Sequence, residues 1–261
     1  MTHALKLATL IQGEPHPDLP PLVIAHGLFG SARNWGVIAK RLSEARQVIA
    51  VDMRNHGDSP HHPVQTYAAM AADLAAVIAE HGGRAAVLGH SMGGKAAMVL
   101  ALTAPALVER LIVADIAPVA YDHDQMRYVR AMQGVDLSRI ARRSDAEAGL
   151  AEAVPEASLR AFFLQSLKLD EAGARWRLNL AALADQMPGI VGFPPVEGVY
   201  PGPALFLSGE LSTYVRPEHW PAILEHFPAA ERQVIPGAGH WLHAEAPRPF
   251  VGAVSRFLDA R

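Results

Sequence analysis

The chain has 261 residues, half of them hydrophobic, with a formal net charge of −3 and no cysteine. That balance excludes a disulfide scaffold, thiol catalysis and cysteine-ligated zinc, and the lack of any Lys/Arg run argues against a nucleic-acid partner. The length is ample for one large α/β domain with a sizeable core.

Met1 to Gln12 carries a short apolar alternation and not the pattern of a signal peptide; from Ala4 it reads as an edge strand. No apolar stretch approaches a membrane span, so the expectation is a soluble, cytoplasmic protein without a membrane partner. Pro15, Pro17, Pro20 and Pro21 form a turn. Leu22 to Ala25 is a short buried strand ending in His26-Gly27-Leu28-Phe29-Gly30. A helix over roughly Ala32 to Leu42 follows, with Trp35, Ile38, Ala39 and Leu42 on one face. Gln47 to Val51 is the next strand. It ends at Asp52, before a polar loop that holds Arg54-Asn55-His56-Gly57-Asp58-Ser59. Tyr67, Met70, Ala71, Leu74, Val77 and Ile78 then follow helical spacing until His81-Gly82-Gly83 stops the helix.

Ala85 to Leu88 is a buried strand leading through Gly89-His90-Ser91-Met92-Gly93 into a helix of small residues. The helix ends near Ala104-Pro105, and Arg110 to Ala114 is another strand ending at Asp115-Ile116-Ala117-Pro118. The order β-α-β-α-β-α-β with short links implies a parallel sheet covered on both faces. From Val119 to Val199 the pattern turns helical and mostly strand-free. One helix starts at Ser158 with Leu159, Phe162, Phe163 and Leu167, and another spans about Gly173 to Gln186 with Trp176, Leu180 and Leu183. Gly189 to Pro203 reads as a return linker. Strands at Ala204 to Leu207 and Arg232 to Ile235, and a last helix from about Pro247, complete the sheet layer. The expected division is therefore a core of residues 1–118 and 200–261 with a helical cap, 119–199, inserted in a single domain.

The stretch around Ser91 organises the chain. A sharp strand-to-helix turn brings backbone against backbone, so glycine is required on both sides and the serine hydroxyl is left exposed at the tip. The following helix N-terminus points free N–H groups at the same spot. A serine needs a base and a pair of oxyanion donors. Among the 13 histidines, His240 stands in a Gly-rich loop after the last strand and can swing over Ser91; His243 is the next choice. His240, His243 and Glu245 also have loose metal-ligand spacing. Without cysteines or a clear third ligand, no metal and no cofactor is expected. The Met92 N–H is one expected oxyanion donor. The turn after His26 supplies the other, with Leu28 favoured and Phe29 as the alternative. His26 is read as a tether for that loop, and Asp52, Arg54 and His56 as an ion pair that fixes the next one. Phe162, Phe163 and Trp176 are read first as cap core. With Phe29 and Trp241 they are also the candidate substrate pocket.

On these stretches the chain resembles the α/β-hydrolases, over nearly all its length. Within that superfamily it is similar to the small bacterial YbfF-type esterases and their mitochondrial abhydrolase relatives. The similarity rests on the motifs at Ser91 and His26-Gly27-Leu28-Phe29-Gly30-Ser31. It also rests on Val51-Asp52-Met53-Arg54-Asn55-His56-Gly57, Asp115-Ile116-Ala117-Pro118-Val119 and Trp176-Arg177-Leu178-Asn179-Leu180. The resemblance implies an eight-stranded, mostly parallel sheet with an antiparallel second strand, a helical cap, and hydrolysis of small-molecule esters or thioesters by a serine nucleophile. One departure stands out. The usual acid position, in the loop Gly209-Glu210-Leu211-Ser212-Thr213-Tyr214-Val215, holds Ser212. The expected acid is then Asp115, at the end of the strand beside the serine strand, with Glu210 as the alternative and Asp52 or a dyad behind it. The same fold also carries carbon–carbon hydrolases, lyases, haloperoxidase-like activities and non-catalytic ligand binders. Oligomeric state leaves no mark in the sequence.

Overall fold

Leu22–Ala25, Val48–Val51 and Ala85–His90 are buried at every position, as strands must be when helices cover both faces of a sheet. The structure, a computed structural model, describes residues 4–260; Met1, Thr2 and His3 of the N-terminal stretch lie outside the described residues. Its strands are β1 (Thr9–Gln12), β2 (Leu22–Ala25), β3 (Val48–Val51), β4 (Ala85–His90), β5 (Val108–Ala114), β6 (Leu167–Asp170), β7 (Gly173–Trp176), β8 (Ala204–Gly209) and β9 (Ala230–Ile235). Its α-helices are α1 (Gly36–Leu42), α2 (Tyr67–Glu80), α3 (Met92–Thr103), α4 (Met126–Gln133), α5 (Arg143–Leu150), α6 (Ala157–Leu164), α7 (Leu180–Asp185), α8 (Met187–Val191), α9 (Trp220–His226), α10 (Leu242–Glu245) and α11 (Pro247–Asp259).

The main sheet runs β1-β3-β2-β4-β5-β8-β9, and only β1 is antiparallel to its neighbour. It has seven strands among the described residues, where the resemblance implied eight, and the antiparallel strand comes first and not second. The residues before β1 spend their backbone donors on side chains: the Leu5 N–H bonds Asp73 and the Ala8 N–H bonds Ser59. One apolar layer joins the sheet to α1 and α11 through Trp35, Ile38, Phe250 and Val254. The other joins it to α2, α3 and the segment between β5 and β8.

That segment contains α4 to α8, and also a hairpin of β6 and β7, so the strand-free expectation is corrected. The helix expected from about Gly173 is instead a strand followed by α7. Gly173, at φ +99°, turns the hairpin, and Arg175 grips Asp170 across it at 2.7 Å. Asn179 then starts α7 by accepting the Ala182 N–H. The expected linker also begins later, because α8 runs through Val191.

Candidate active site

At the end of β4 the chain turns by way of Ser91, which has φ +50° and ψ −117°. A Cβ on Gly89 would lie 2.2 Å from the Gly93 carbonyl oxygen, and one on Gly93 would lie 2.3 Å from that of Ala25. Both positions therefore demand glycine. The Ser91 N–H is held by the Ala114 carbonyl at 3.0 Å, so the neighbouring strand fixes the turn from one side. Holding a non-glycine residue at positive φ costs about 1–3 kcal/mol. Among the described residues the non-glycine cases are Phe29, Asn55, Ser91 and Asp115. Each of the four belongs to the serine turn or to the loops around it.

Asp115 follows β5, fully buried, in the left-handed conformation that Asp tolerates. Its Oδ1 accepts the Gly209 N–H at 3.1 Å. Its Oδ2 accepts the His240 Nδ1–H at 2.7 Å and the Ser212 hydroxyl. The carboxylate thus fixes the imidazole tautomer and leaves Nε2 for the cavity that Ser91 lines. The residue that occupies the usual acid position donates a hydrogen bond to the carboxylate that faces the histidine. Glu210 accepts the Gly237 N–H at 2.7 Å and so braces the loop that leads to His240. Asp52 accepts the Ala32 and Asp58 N–H groups.

The His240 loop is held closely. Gly209 at the end of β8 touches it so tightly that a Cβ there would meet the Gly239 carbonyl oxygen at 2.2 Å. Glu245 accepts the Gly239 and Trp241 N–H groups, which employs one of the three residues with metal-like spacing. The His240 ring stacks on Tyr214 with centroids 3.8 Å apart, and its carbonyl accepts the His90 Nε2–H at 2.9 Å. His243 is buried against Trp35, 4.1 Å between ring centroids, and burial pulls its pKa down to about 3.

The turn after β2 is braced by two buried histidines. His26 donates from Nδ1 to the Gly27 carbonyl at 2.8 Å and accepts the Met53 N–H at 2.9 Å. His56 donates to the Arg54 carbonyl and accepts the Phe29 N–H at 3.2 Å. Burial lowers the two pKa values to about 4 and about 3, so both rings are neutral at pH 7. The Phe29 N–H is therefore spent, and Leu28 lines the same cavity as Ser91. The Met92 N–H opens α3 and has no intrahelical partner. The ion pair expected among Asp52, Arg54 and His56 is corrected: Arg54 reaches instead to Asp73 on α2, with two bonds of 2.6 and 2.7 Å in a buried setting.

These groups surround a cavity of about 310 Å³. Ser91, His240, Leu28 and Met92 line it, and so do Phe29, Phe162, Phe163 and Trp241. Trp176 does not. It is buried inside the inserted segment, with Nε1 donating to the Met132 carbonyl at 3.0 Å. Helical spacing of aromatics indicates a buried face without saying which neighbour buries it. Sequence reasoning missed Tyr214, which carries no motif, and the roles of Ser212 and His56. Their positions were visible in the sequence, but their partners come from other loops.

Residues 20–247 match a family model described as alpha/beta hydrolase fold. The chain is 43% identical over 251 residues to sn-1-specific diacylglycerol lipase ABHD11 of Danio rerio, covering 93% of this chain and 79% of that protein. It is 41% identical over 243 residues to Esterase YbfF of Escherichia coli, covering 92% of this chain and 93% of that one. Among solved structures, a marine microorganism esterase superposes with a TM-score of 0.92 at 38% identity, covering 97% of this chain and 100% of that one.

Proposed function

This chain belongs to the alpha/beta hydrolase family, and from that membership we propose that it is a serine esterase or thioesterase acting through an acyl-enzyme. Ser91 attacks the acyl carbon while His240 Nε2 takes the hydroxyl proton. The Asp115 carboxylate stabilises the imidazolium that forms. The Leu28 and Met92 N–H groups hold the oxyanion. His240 then returns the proton to the departing alcohol or thiol. Water, deprotonated by the same imidazole, attacks the acyl-enzyme, and the acid leaves with Ser91 restored.

What carries this reading is one connected set. A buried carboxylate orients an imidazole at 2.7 Å, and that imidazole shares a cavity with a serine held at positive φ. The cavity is near the lower end of the range for small-molecule sites, and aromatic and aliphatic side chains make up most of its lining beside several histidines, which favours small to medium acyl groups. Residues 119–199 act as a cap over it, since Tyr128, Leu159, Phe162, Phe163 and Ile190 supply one wall.

Ser91→Ala tests the reading. Turnover of short-chain esters should fall by about 10⁶, by analogy with removal of a serine-protease nucleophile, and labelling by a fluorophosphonate probe should vanish. Probe uptake by the alanine variant at the wild-type rate would overturn the assignment.

A further inference from the structure

Resting on the esterase reading, we infer that Lys95 makes this cavity selective for esters that carry a negatively charged group, a carboxylate foremost, a few carbons from the scissile carbonyl. Lys95 ends the Gly-Gly-Lys run that follows Ser91, and the mechanism leaves it unused. It stands one turn after Ser91 on α3, its N–H bonded to the Ser91 carbonyl, which sets the two Cα atoms about 6 Å apart along the helix. The side chain is 1% exposed and lines the cavity.

A buried cation is costly unless an anion is set against it. Among the described residues no carboxylate forms an ion pair with Lys95, and no Asp or Glu lines the cavity. Its Nζ donates to the Val191 carbonyl at 2.9 Å and the Gly192 carbonyl at 2.5 Å, at the end of α8. An ammonium has three donors, so one is left. The Tyr121 and Tyr67 rings lie 4.8 and 5.9 Å from Nζ.

Holding α8 in place does not need a charge. Tyr67 does the same for Ile190 with a neutral hydroxyl, at 2.5 Å. The hydroxyls of Tyr67 and Tyr121 are already engaged, on the Ile190 and Tyr214 carbonyls. Of these three groups, the ammonium is thus the one with a donor left over. Burial pulls its pKa down to about 7, a cost that a bound anion would reverse and a neutral substrate would leave in place.

Two matched pairs of substrates test this, each pair differing only in a carboxylate against an isopropyl end. Monoethyl glutarate against ethyl 5-methylhexanoate places the charge on the acyl side. 4-Acetoxybutanoate against 4-methylpentyl acetate places it on the alcohol side. The wild-type enzyme should favour the anion in one pair by about 10- to 100-fold in kcat/KM, the worth of one charge-assisted hydrogen bond. The favoured pair tells which side of the ester Lys95 faces. Lys95→Met, which keeps the apolar stem, should erase that ratio, and Lys95→Arg should keep part of it. If neutral esters are turned over in a Ser91-dependent way and neither anion is preferred, the inference fails and the esterase reading stands. The inference also fails if Lys95→Met keeps the ratio. No Ser91-dependent turnover of any of the four would defeat both. The wild-type ratios suffice even if the methionine variant does not fold.

Discussion

The two sides of the cavity are held by different physics. On the sheet side, the strand ends fix each functional group through backbone contacts at van der Waals limits and through buried, neutral hydrogen bonds. Gly89, Gly93 and Gly209 admit no side chain, and His26 and His56 each tie one loop's N–H to another's carbonyl. On the side of residues 119–199, apolar packing and the buried Tyr67 and Lys95 bonds to α8 are joined by outer bridges between side chains. Arg177 meets Asp58, Asn34 meets Gln165, and Asn179 meets Asn55, all near the surface or half-buried. Buried neutral pairs resist salt and solvent, whereas exposed ones contribute about 0–1 kcal/mol each. The sheet side is therefore fixed by steric limits and buried bonds, whereas the outer edge of the inserted side rests on bonds that solvent weakens.

The sharpest way to break this contrast is Asp115→Asn. The shape is kept, but the carboxylate that receives His240, Ser212 and Gly209 loses its charge. By analogy with the serine-protease triad, kcat should fall by up to about 10⁴ with little change in KM. Glu210→Gln should stay within a few-fold, because that side chain serves the Gly237 N–H. Steady-state kinetics on one short-chain ester decides it. A collapse in Glu210→Gln with Asp115→Asn near wild type would move the acid to the other loop.

The same contrast explains what could be read from the sequence. The serine turn was legible because two glycines flank the serine at a fixed spacing, although only the demand on Gly89 is made within five residues and that on Gly93 comes from Ala25 on β2. Asp115 was legible once Ser212 was seen to be unable to hold an imidazolium, but the hydroxyl of Ser212 donating to Asp115 was not, since 97 residues separate them. The parallel sheet and the succession of its strands along the chain followed from short apolar runs and short links. The inserted segment was read less well. Each strand of its hairpin is four residues long with charged residues on one face, too little for a period-2 signal. Trp176 was spaced for a helix and proved to be a strand residue. The Asp52–Gly57 and Trp176–Leu180 motifs were noticed separately. The structure joins them, with the Asn179 N–H on the Asn55 carbonyl at 3.0 Å.

A second test concerns acid. With folded pKa values of about 4 and 3, His26 and His56 stay neutral well below the ordinary value of 6.5. The unfolded chain takes up protons below pH 6.5 that the folded chain refuses. Their stabilisation is complete above about pH 6.5 and is lost as pH falls toward 4, at up to about 1.4 kcal/mol per pH unit for each ring. The urea midpoint should drop steeply between pH 6.5 and 4.5, ahead of any carboxylate on the inserted side. A midpoint that holds level from pH 7 to 5 would mean that these rings are charged in the folded protein, and the neutral bracing of the Phe29 turn would be wrong.

The smallest expected effect sharpens the contrast from the other side. Asn179 donates from Nδ2 to Asn55 Oδ1 at 3.0 Å and accepts the Ala182 N–H at 3.3 Å, so it is both a bridge and the cap of α7. Asn179→Ala removes these bonds and a weak one of 3.5 Å from Nδ2 to the half-buried His62 carbonyl, but Asn55 Oδ1 keeps the His62 N–H at 2.7 Å. The loss should be about 1–2 kcal/mol, most of it the missing cap. Arg177→Met, which breaks the link to the half-exposed Asp58, should cost less than about 1 kcal/mol. Neither change touches Ser91, His240 or the proposed oxyanion donors, Leu28 and Met92. Both should therefore raise KM by a few-fold at nearly constant kcat, as the wall carried by residues 119–199 loosens around the substrate. Cleavage of that segment by a protease in native buffer should quicken in step with KM. If Arg177→Met instead lowered kcat as far as Asp115→Asn does, the inserted side would be part of the rigid frame, and the division between a fixed wall and a yielding one would not hold.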